Sequence, residues 1–264
     1  MLDIQRISKT FNPGTVNEKK AITDLSLHLN KGEFVTVIGS NGAGKSTLFN
    51  AIAGSFYVDD GAITVGGHDM TFLPEYKRAK RIGRLFQDPL KGTAPNMTIE
   101  ENLALAARRG QPRGLKWGIT ALERADYREL LKTLDLGLED RLTAKVGLLS
   151  GGQRQALTLL MASLKQPKLL LLDEHTAALD PKTADKVLAL SDQIVQENNL
   201  TTLMITHNMK DAIAHGNRLI MMDAGRVVVD ISGEDKKKLT VPDLLALFSR
   251  ASGSDEANDK MLLS

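Results

Sequence analysis

The sequence predicts an α/β fold: a parallel-sheet core with an antiparallel β edge and an inserted α-helical subdomain. Three observations carry that prediction. Apolar runs recur at Phe34 to Ile38, Lys168 to Leu172 and Leu200 to Ile205, as strands buried on both faces require. Leu2 to Phe11 and Ile22 to Leu29 instead alternate apolar and polar residues, as half-buried antiparallel strands do. From about Asp88 to Lys165 the apolar spacing turns helical.

The first buried run leads into Gly39-Ser40-Asn41-Gly42-Ala43-Gly44-Lys45-Ser46-Thr47, and Leu48 to Ala53 follows as a helix ended by Gly54. Strand, glycine turn and helix give the pattern G-x-x-x-x-G-K-[ST] its context, a phosphate-binding loop in a P-loop NTPase-type core. Glycines let consecutive N–H groups point inward at an anion, and the helix N-terminus adds partial positive charge. Lys45 can reach the β- and γ-phosphates, and the Ser46 hydroxyl can ligate Mg²⁺.

A chain of 264 residues with 42% hydrophobic content suits one large α/β domain with a sizeable core. Its expected division is a core with its β-subdomain over about 1–87 and 166–235, a helical subdomain over about 88–165, and a C-terminal helix and tail over 236–264. A net charge of +2 gives no argument for nucleic acid as a partner. The absence of cysteine excludes disulfides and thiolate metal sites. The start, Met1 to Arg6, lacks a signal peptide's apolar core, and the longest aliphatic runs are too short to span a bilayer. Membrane association is therefore expected to go through a partner.

In chain order, Asn12-Pro13-Gly14 reads as a turn and Asn17 to Lys20 as a polar loop. Phe11 beside that turn is either core or an aromatic that stacks on adenine. Ala62 to Val65 reads as a strand with a Gly66-Gly67 turn. Ile82 to Phe86 is a further strand that delivers Gln87 to its end, where an ordinary loop residue would also fit. Thr98-Ile99-Glu100-Glu101 is a capping box starting a helix towards Ala107. Arg108 to Trp117 is a basic, broken loop, read as a solvated face. Ala121 to Leu134 has helical spacing.

The helical stretch ends in Leu149-Ser150-Gly151-Gly152-Gln153. Ser150 is an N-cap, and Arg154 to Leu164 reads as its helix. This is a second helix N-terminus suited to an anion, or simply a well-capped helix. The next strand ends in Asp173 and Glu174, where parallel sheets bind ligands. Neighbouring strand residues point opposite ways, so the acids can take different roles. Asp173 can hold the Mg²⁺ shell and Glu174 can take a proton from water. Ala178-Leu179-Asp180 is a tight connection, with Pro181 at helix position N1. Leu200 to Ile205 ends at Thr206-His207. Arg218 to Asp223 and Gly225 to Ile231 form a hairpin, Val241 to Phe248 a short helix, and Ser252 to Lys260 a polar tail.

Taken in order, Phe11, Gly39 to Thr47, Gln87, Leu149 to Gln153, Leu169 to Glu174, Ala178 to Asp180 and His207 make the chain resemble the nucleotide-binding subunits of ATP-binding-cassette (ABC) transporters, over roughly Leu2 to Asp230. The resemblance implies the ABC ATPase fold, with ATP and Mg²⁺ as cofactors. It implies that Phe11 stacks on adenine, that Gly39 to Thr47 are Walker A, that Gln87 is the Q-loop residue and that Leu149 to Gln153 are the signature. It further implies Walker B at Leu169 to Glu174, a D-loop at Ala178 to Asp180 and a switch histidine at His207. Glu174, His207 and Gln87 are the implied catalytic residues; Ser46, Gln87 and Asp173 are the implied Mg²⁺ ligands. A head-to-tail dimer is implied, each ATP being capped by the partner copy's signature. One departure is His175, where the family more often has proline.

The function expected from the resemblance is an ATPase subunit that powers solute import, such as amino-acid import, on the cytoplasmic face of the membrane. Its expected partners are a second copy of itself, integral membrane permease subunits and an extracytoplasmic solute-binding lipoprotein. The alternative is a soluble ABC ATPase outside transport, of the iron–sulfur-assembly type.

Overall fold

The computed structural model describes residues 1–111 and 118–252. Among them are two sheets, numbered here in chain order. The antiparallel one has the order β2 (Lys19–Leu29), β1 (Leu2–Phe11), β4 (Asp60–Val65), β5 (His68–Asp69). The larger one has the order β10 (Arg226–Ser232), β9 (Arg218–Asp223), β3 (Phe34–Gly39), β8 (Thr201–Ile205), β7 (Leu169–Asp173), β6 (Ile82–Leu85). Its pairings are parallel except at β10, which runs antiparallel to β9.

The helices are α1 (Lys45–Ala53), α2 (Glu75–Arg78), α3 (Ile99–Ala107), α4 (Ala121–Lys132), α5 (Gly151–Ser163), α6 (Pro181–Glu197), α7 (Met209–Ala214), α8 (Gly233–Lys238) and α9 (Val241–Ser252). Helix α3 starts on the capping box of Thr98 and Glu101, as its sequence requires.

Period-2 alternation divides the β7 leucines between two cores. Leu169 and Leu171 join Phe49 and Ile52 of α1 in the core beneath the antiparallel sheet. Leu170 and Leu172 join Leu103, Leu131, Leu157 and Ile194 on the opposite face. Every residue of β3 and β8 is buried, which explains why their sequences hold only apolar residues, glycine and the threonines Thr36, Thr201 and Thr202. Truncating a leucine such as Leu171 to alanine costs roughly 2–5 kcal/mol in such a setting.

Several boundaries differ from expectation. Strand β2 begins at Lys19, inside the expected polar loop, because Phe11 pairs with Lys19 and Thr10 with Lys20. Backbone pairing is indifferent to side-chain polarity, so the ladder outruns the apolar pattern. Helices α1 and α5 begin at Lys45 and Gly151, within the glycine-rich segments. The short elements α2, α7, α8 and β5 were not expected; two to six residues cannot display a period. Of the expected basic loop, residues 112–117 lie outside the described residues, as does the tail from 253.

Candidate active site

The C-terminal edges of β3, β7 and β8 bring Gly39, Asp173 and Ile205 to one end of the parallel sheet. A cavity of about 280 Å³ opens there, walled by Asn41 to Thr47, Lys19, Ala21, Glu174 and His207. Ligands bind at this edge of open α/β sheets.

The phosphate-loop residues form a cradle. Gly44 stands at the N-cap of α1 with φ 101°, and no side chain caps the helix. A Cβ on Gly44 would lie 2.6 Å from the Ala21 carbonyl oxygen, so glycine alone fits. The first N–H groups of α1 thus have no side-chain acceptor, the condition under which a helix start can take an anion. Lys45 Nζ donates to the carbonyls of Gly39 at 2.6 Å and Ser40 at 3.0 Å. Burial holds its pKa below the ordinary lysine range, while Glu174 and Asp173 pull it back up. The β9–β10 turn braces the loop, Gly225 N–H donating to Ala43 O at 3.0 Å.

Strand β7 ends at Asp173, and Glu174 leaves the sheet with φ 47°. A non-glycine residue in this left-handed region costs on the order of 1–3 kcal/mol and marks functional turns. That turn, rather than strand alternation as expected, separates the two acids. Glu174 N–H donates to Ile205 O at 3.1 Å, and Glu174 Oε1 lies 2.5 Å from His207 Nε2. His207 Nδ1 is buried without a hydrogen-bond partner. Asp173 Oδ2 accepts from Arg84 Nη2 at 3.2 Å. Burial raises the Asp173 pKa and Arg84 opposes the rise.

Among the described residues, no group of three or more His, Asp or Glu side chains could hold a metal by itself. The Ser46 hydroxyl lines the cavity; the Asp173 carboxylate does not, and stands next to Glu174 at the end of β7; both are hard oxygen donors. That donor set suits Mg²⁺, which binds through one or two carboxylates together with substrate phosphates.

Other sequence-identified residues lie apart from this cavity. Gln87 is exposed, two residues beyond the end of β6, and does not line it. Phe11 does not line it either; its ring meets Phe56 edge-on, with centroids 5.2 Å apart. Leu149 to Gln153 sit at the start of α5. Ser150 Oγ accepts from Gln153 N–H at 3.3 Å, and Gln153 Oε1 accepts from Ser150 N–H at 3.2 Å. A Cβ on Gly152 would lie 2.1 Å from Thr183 Cγ2, so α5 meets the start of α6 closely. Leu179 packs beside Gly151, and Asp180 Oδ1 caps α6 through Thr183 N–H at 3.1 Å. The α6 cap is therefore Asp180. Ser150, Gly151, Ala178 and Asp180 are exposed together beside this contact.

Two residues escaped the sequence reading. Lys19 lines the cavity, and its Nζ would lie 3.8 Å from a Cβ placed on Gly42. Its part of β2 is set by the pairing of Phe11 with Lys19, past an irregularity in the ladder at Ala21, so its own sequence carries no signal for it. Arg84 pairs with Asp173; a cation inside the apolar stretch Ile82 to Phe86 was its signal.

Comparison with known proteins gives the family. A family model described as ABC transporter matches residues 22–177, more than half of the chain. The chain is 48% identical over 252 residues to a tyrosine transport ATP-binding protein of Clostridioides difficile, covering 95% of this chain and all of that protein. It is 35% identical over 231 residues to a glycine betaine/carnitine/choline transport ATP-binding protein of Bacillus subtilis, covering 86% of this chain and 57% of that protein. A solved dimeric ATP-binding cassette, in a post-hydrolysis state bound to ADP and Pi, superposes with a TM-score of 0.75 at 29% identity, over 88% of this chain and 98% of that one. With the phosphate cradle, the two acids and the histidine gathered at one sheet edge, the chain belongs to the ABC transporter family, as one of its ATP-hydrolysing subunits.

Proposed function

We propose that this subunit drives import of an amino acid, an aromatic one such as tyrosine, through integral membrane permease subunits at the cytoplasmic face of the membrane. An extracytoplasmic solute-binding lipoprotein delivers the solute. The observation that carries the solute class is 48% identity along the full length of a tyrosine transport ATP-binding protein. No helix among the described residues is long and apolar enough to cross a membrane, which fits a requirement for separate permease subunits.

In this reading Lys45 and the amides of Gly39 to Thr47 bind the β- and γ-phosphates. Ser46 and Asp173 would hold Mg²⁺, with Gln87 joining them from outside the cavity, and the ion would neutralise phosphate charge when bound. Glu174 accepts a proton from the attacking water, a role worth 10²–10⁴-fold in rate. His207 orients Glu174 through their short contact and faces the γ-phosphate. Phe11 stacks on adenine, from outside the phosphate cavity.

A second copy completes the site. The exposed N-terminus of α5, with Leu149 to Gln153, is an anion site with no phosphate cradle of its own. Set against the partner copy's triphosphate it would neutralise the γ-phosphate and join the subunits. Ala178 to Asp180 lie beside it and would meet the partner too. Hydrolysis removes the shared anion, and the subunits separate.

Reconstitution tests the assignment. The subunit, co-purified with its permease from native membranes, is placed in proteoliposomes with ATP inside the pump's cytoplasmic side. ATP-dependent accumulation of radiolabelled tyrosine over betaine is expected. Accumulation of betaine alone, or ATPase activity with no permease in the complex, would overturn the solute or the transport role respectively.

A further inference from the structure

Arg84 is held in one place from several directions. Its Nη2 donates to Asp173 Oδ2 at 3.2 Å and to Asn50 Oδ1 at 2.7 Å. Its Nη1 lies 3.4 Å from Ser55 Oγ, and the guanidinium carbon sits 4.6 Å from the centre of the Phe86 ring. Its Nε is buried without a hydrogen-bond partner. The Arg84 and Asp173 side chains are only 12% and 14% exposed. Bulk ions screen so sheltered a pair poorly.

The paired carboxylate is the one that, in the reading above, would hold Mg²⁺. A carboxylate has two oxygens, and Arg84 takes Oδ2. A divalent cation on the same group must either share it with a guanidinium a few ångströms away or displace the guanidinium. Both options oppose metal binding electrostatically.

We propose that Arg84 competes with the divalent cation for Asp173, raising the cation concentration that nucleotide binding needs. This rests on Asp173 being a metal ligand. A residue that only positioned Asp173 would act in the opposite direction: its loss would weaken metal binding. The sign of the effect therefore separates competition from support.

The test uses the full chain and a non-hydrolysable, fluorescently labelled ATP analogue, with its binding followed as Mg²⁺ is titrated. Arg84→Met keeps length and packing on Phe86 while removing the charge. Its half-saturating Mg²⁺ concentration is expected to fall about tenfold. Arg84→Lys keeps the charge and should stay within about threefold of the parent. If Arg84→Met does not give the parent's circular dichroism spectrum, Arg84→Gln, which can still hydrogen-bond Asp173 and Asn50, takes its place. An unchanged or raised half-saturation in the neutral variant overturns the proposal. Asp173→Asn separates the two levels of failure. If it leaves half-saturation unchanged, Asp173 is not a ligand and the underlying reading fails. If it raises half-saturation while the neutral Arg84 variant does not lower it, competition alone fails.

Discussion

Glu174 Oε1 and His207 Nε2 lie 2.5 Å apart across the mouth of the phosphate cavity, brought there by the ends of neighbouring strands β7 and β8. The contact fixes the carboxylate against a histidine whose other ring nitrogen, Nδ1, is buried. Glu174 is thus held outside the sheet by a left-handed turn and by one side-chain contact.

That arrangement predicts a trapped dimer. Glu174→Gln keeps size and hydrogen bonding and removes the basicity, so turnover should drop 10²–10⁴-fold. With ATP this variant should run as a stable dimer, and without nucleotide as a monomer. Adding Ser150→Arg should abolish the dimer. Adding Ser150→Ala, which removes the α5 cap at a cost of about 1 kcal/mol without adding bulk, should keep it. Size-exclusion chromatography with light scattering decides: an ATP-loaded Glu174→Gln protein that stays monomeric contradicts the shared site.

Phe11 offers a second test. Its ring meets Phe56 edge-on, and Lys9 Nζ stands 5.8 Å from its centre. Stacking on a base is worth about 1–3 kcal/mol by alanine substitution. Phe11→Ala should weaken ATP binding by about tenfold or more, and Phe11→Trp should largely retain it. Calorimetry showing the same ATP affinity in Phe11→Ala would return Phe11 to a packing role with Phe56.

Gln87 is exposed at the junction of β6 and the helical stretch. Gln87→Ala should spare ATP binding yet reduce transport and permease-stimulated hydrolysis severalfold. Uptake assays in proteoliposomes measure this, and normal transport by the variant would remove Gln87 from coupling.

His175 makes a prediction about pH. Its Nε2 lies 3.0 Å from Ser191 Oγ in a buried site. Burial, with a smaller push from the charge of His215, lowers its pKa from 6.5 to about 4, while Asp192 acts the other way. The unfolded chain therefore takes up the proton first as pH falls. Stability is lost between about pH 6.5 and 4, by about 3 kcal/mol in full. Urea unfolding at pH 7.5, 6 and 5 should show this loss in the parent and a flatter profile in His175→Asn. Identical slopes in the two proteins would rule His175 out as the titrating group.

Legibility followed the range of the interaction. The loop Gly39 to Thr47 could be read because nine consecutive residues build the cradle locally. The ends of β7 and β8 could be read because burial on both faces leaves an unbroken apolar run, and the polar residue that ends it is conspicuous. Lys19 was hidden because its strand is defined by pairing with Phe11 and not by its own composition. Helix α7 was hidden because six residues do not display a helical period, although Asn208 caps it through Lys210 and Asp211 N–H groups.

By itself, then, the sequence determined the order of the longer strands and helices, the glycine-rich turn between β3 and α1, and the place of Asp173 and Glu174 at the end of β7, because each is fixed by neighbours within one turn or one strand. Only the tertiary structure decided that β7 lies between β6 and β8. That register sets Arg84 on Asp173 across 89 positions of sequence and His207 on Glu174 from the adjacent strand end. It also left Ser150 outside the cavity that holds Lys45. Such relationships arise from parallel pairing and from burial on both faces of one sheet, whose energies belong to the assembled layers and not to any short stretch of chain.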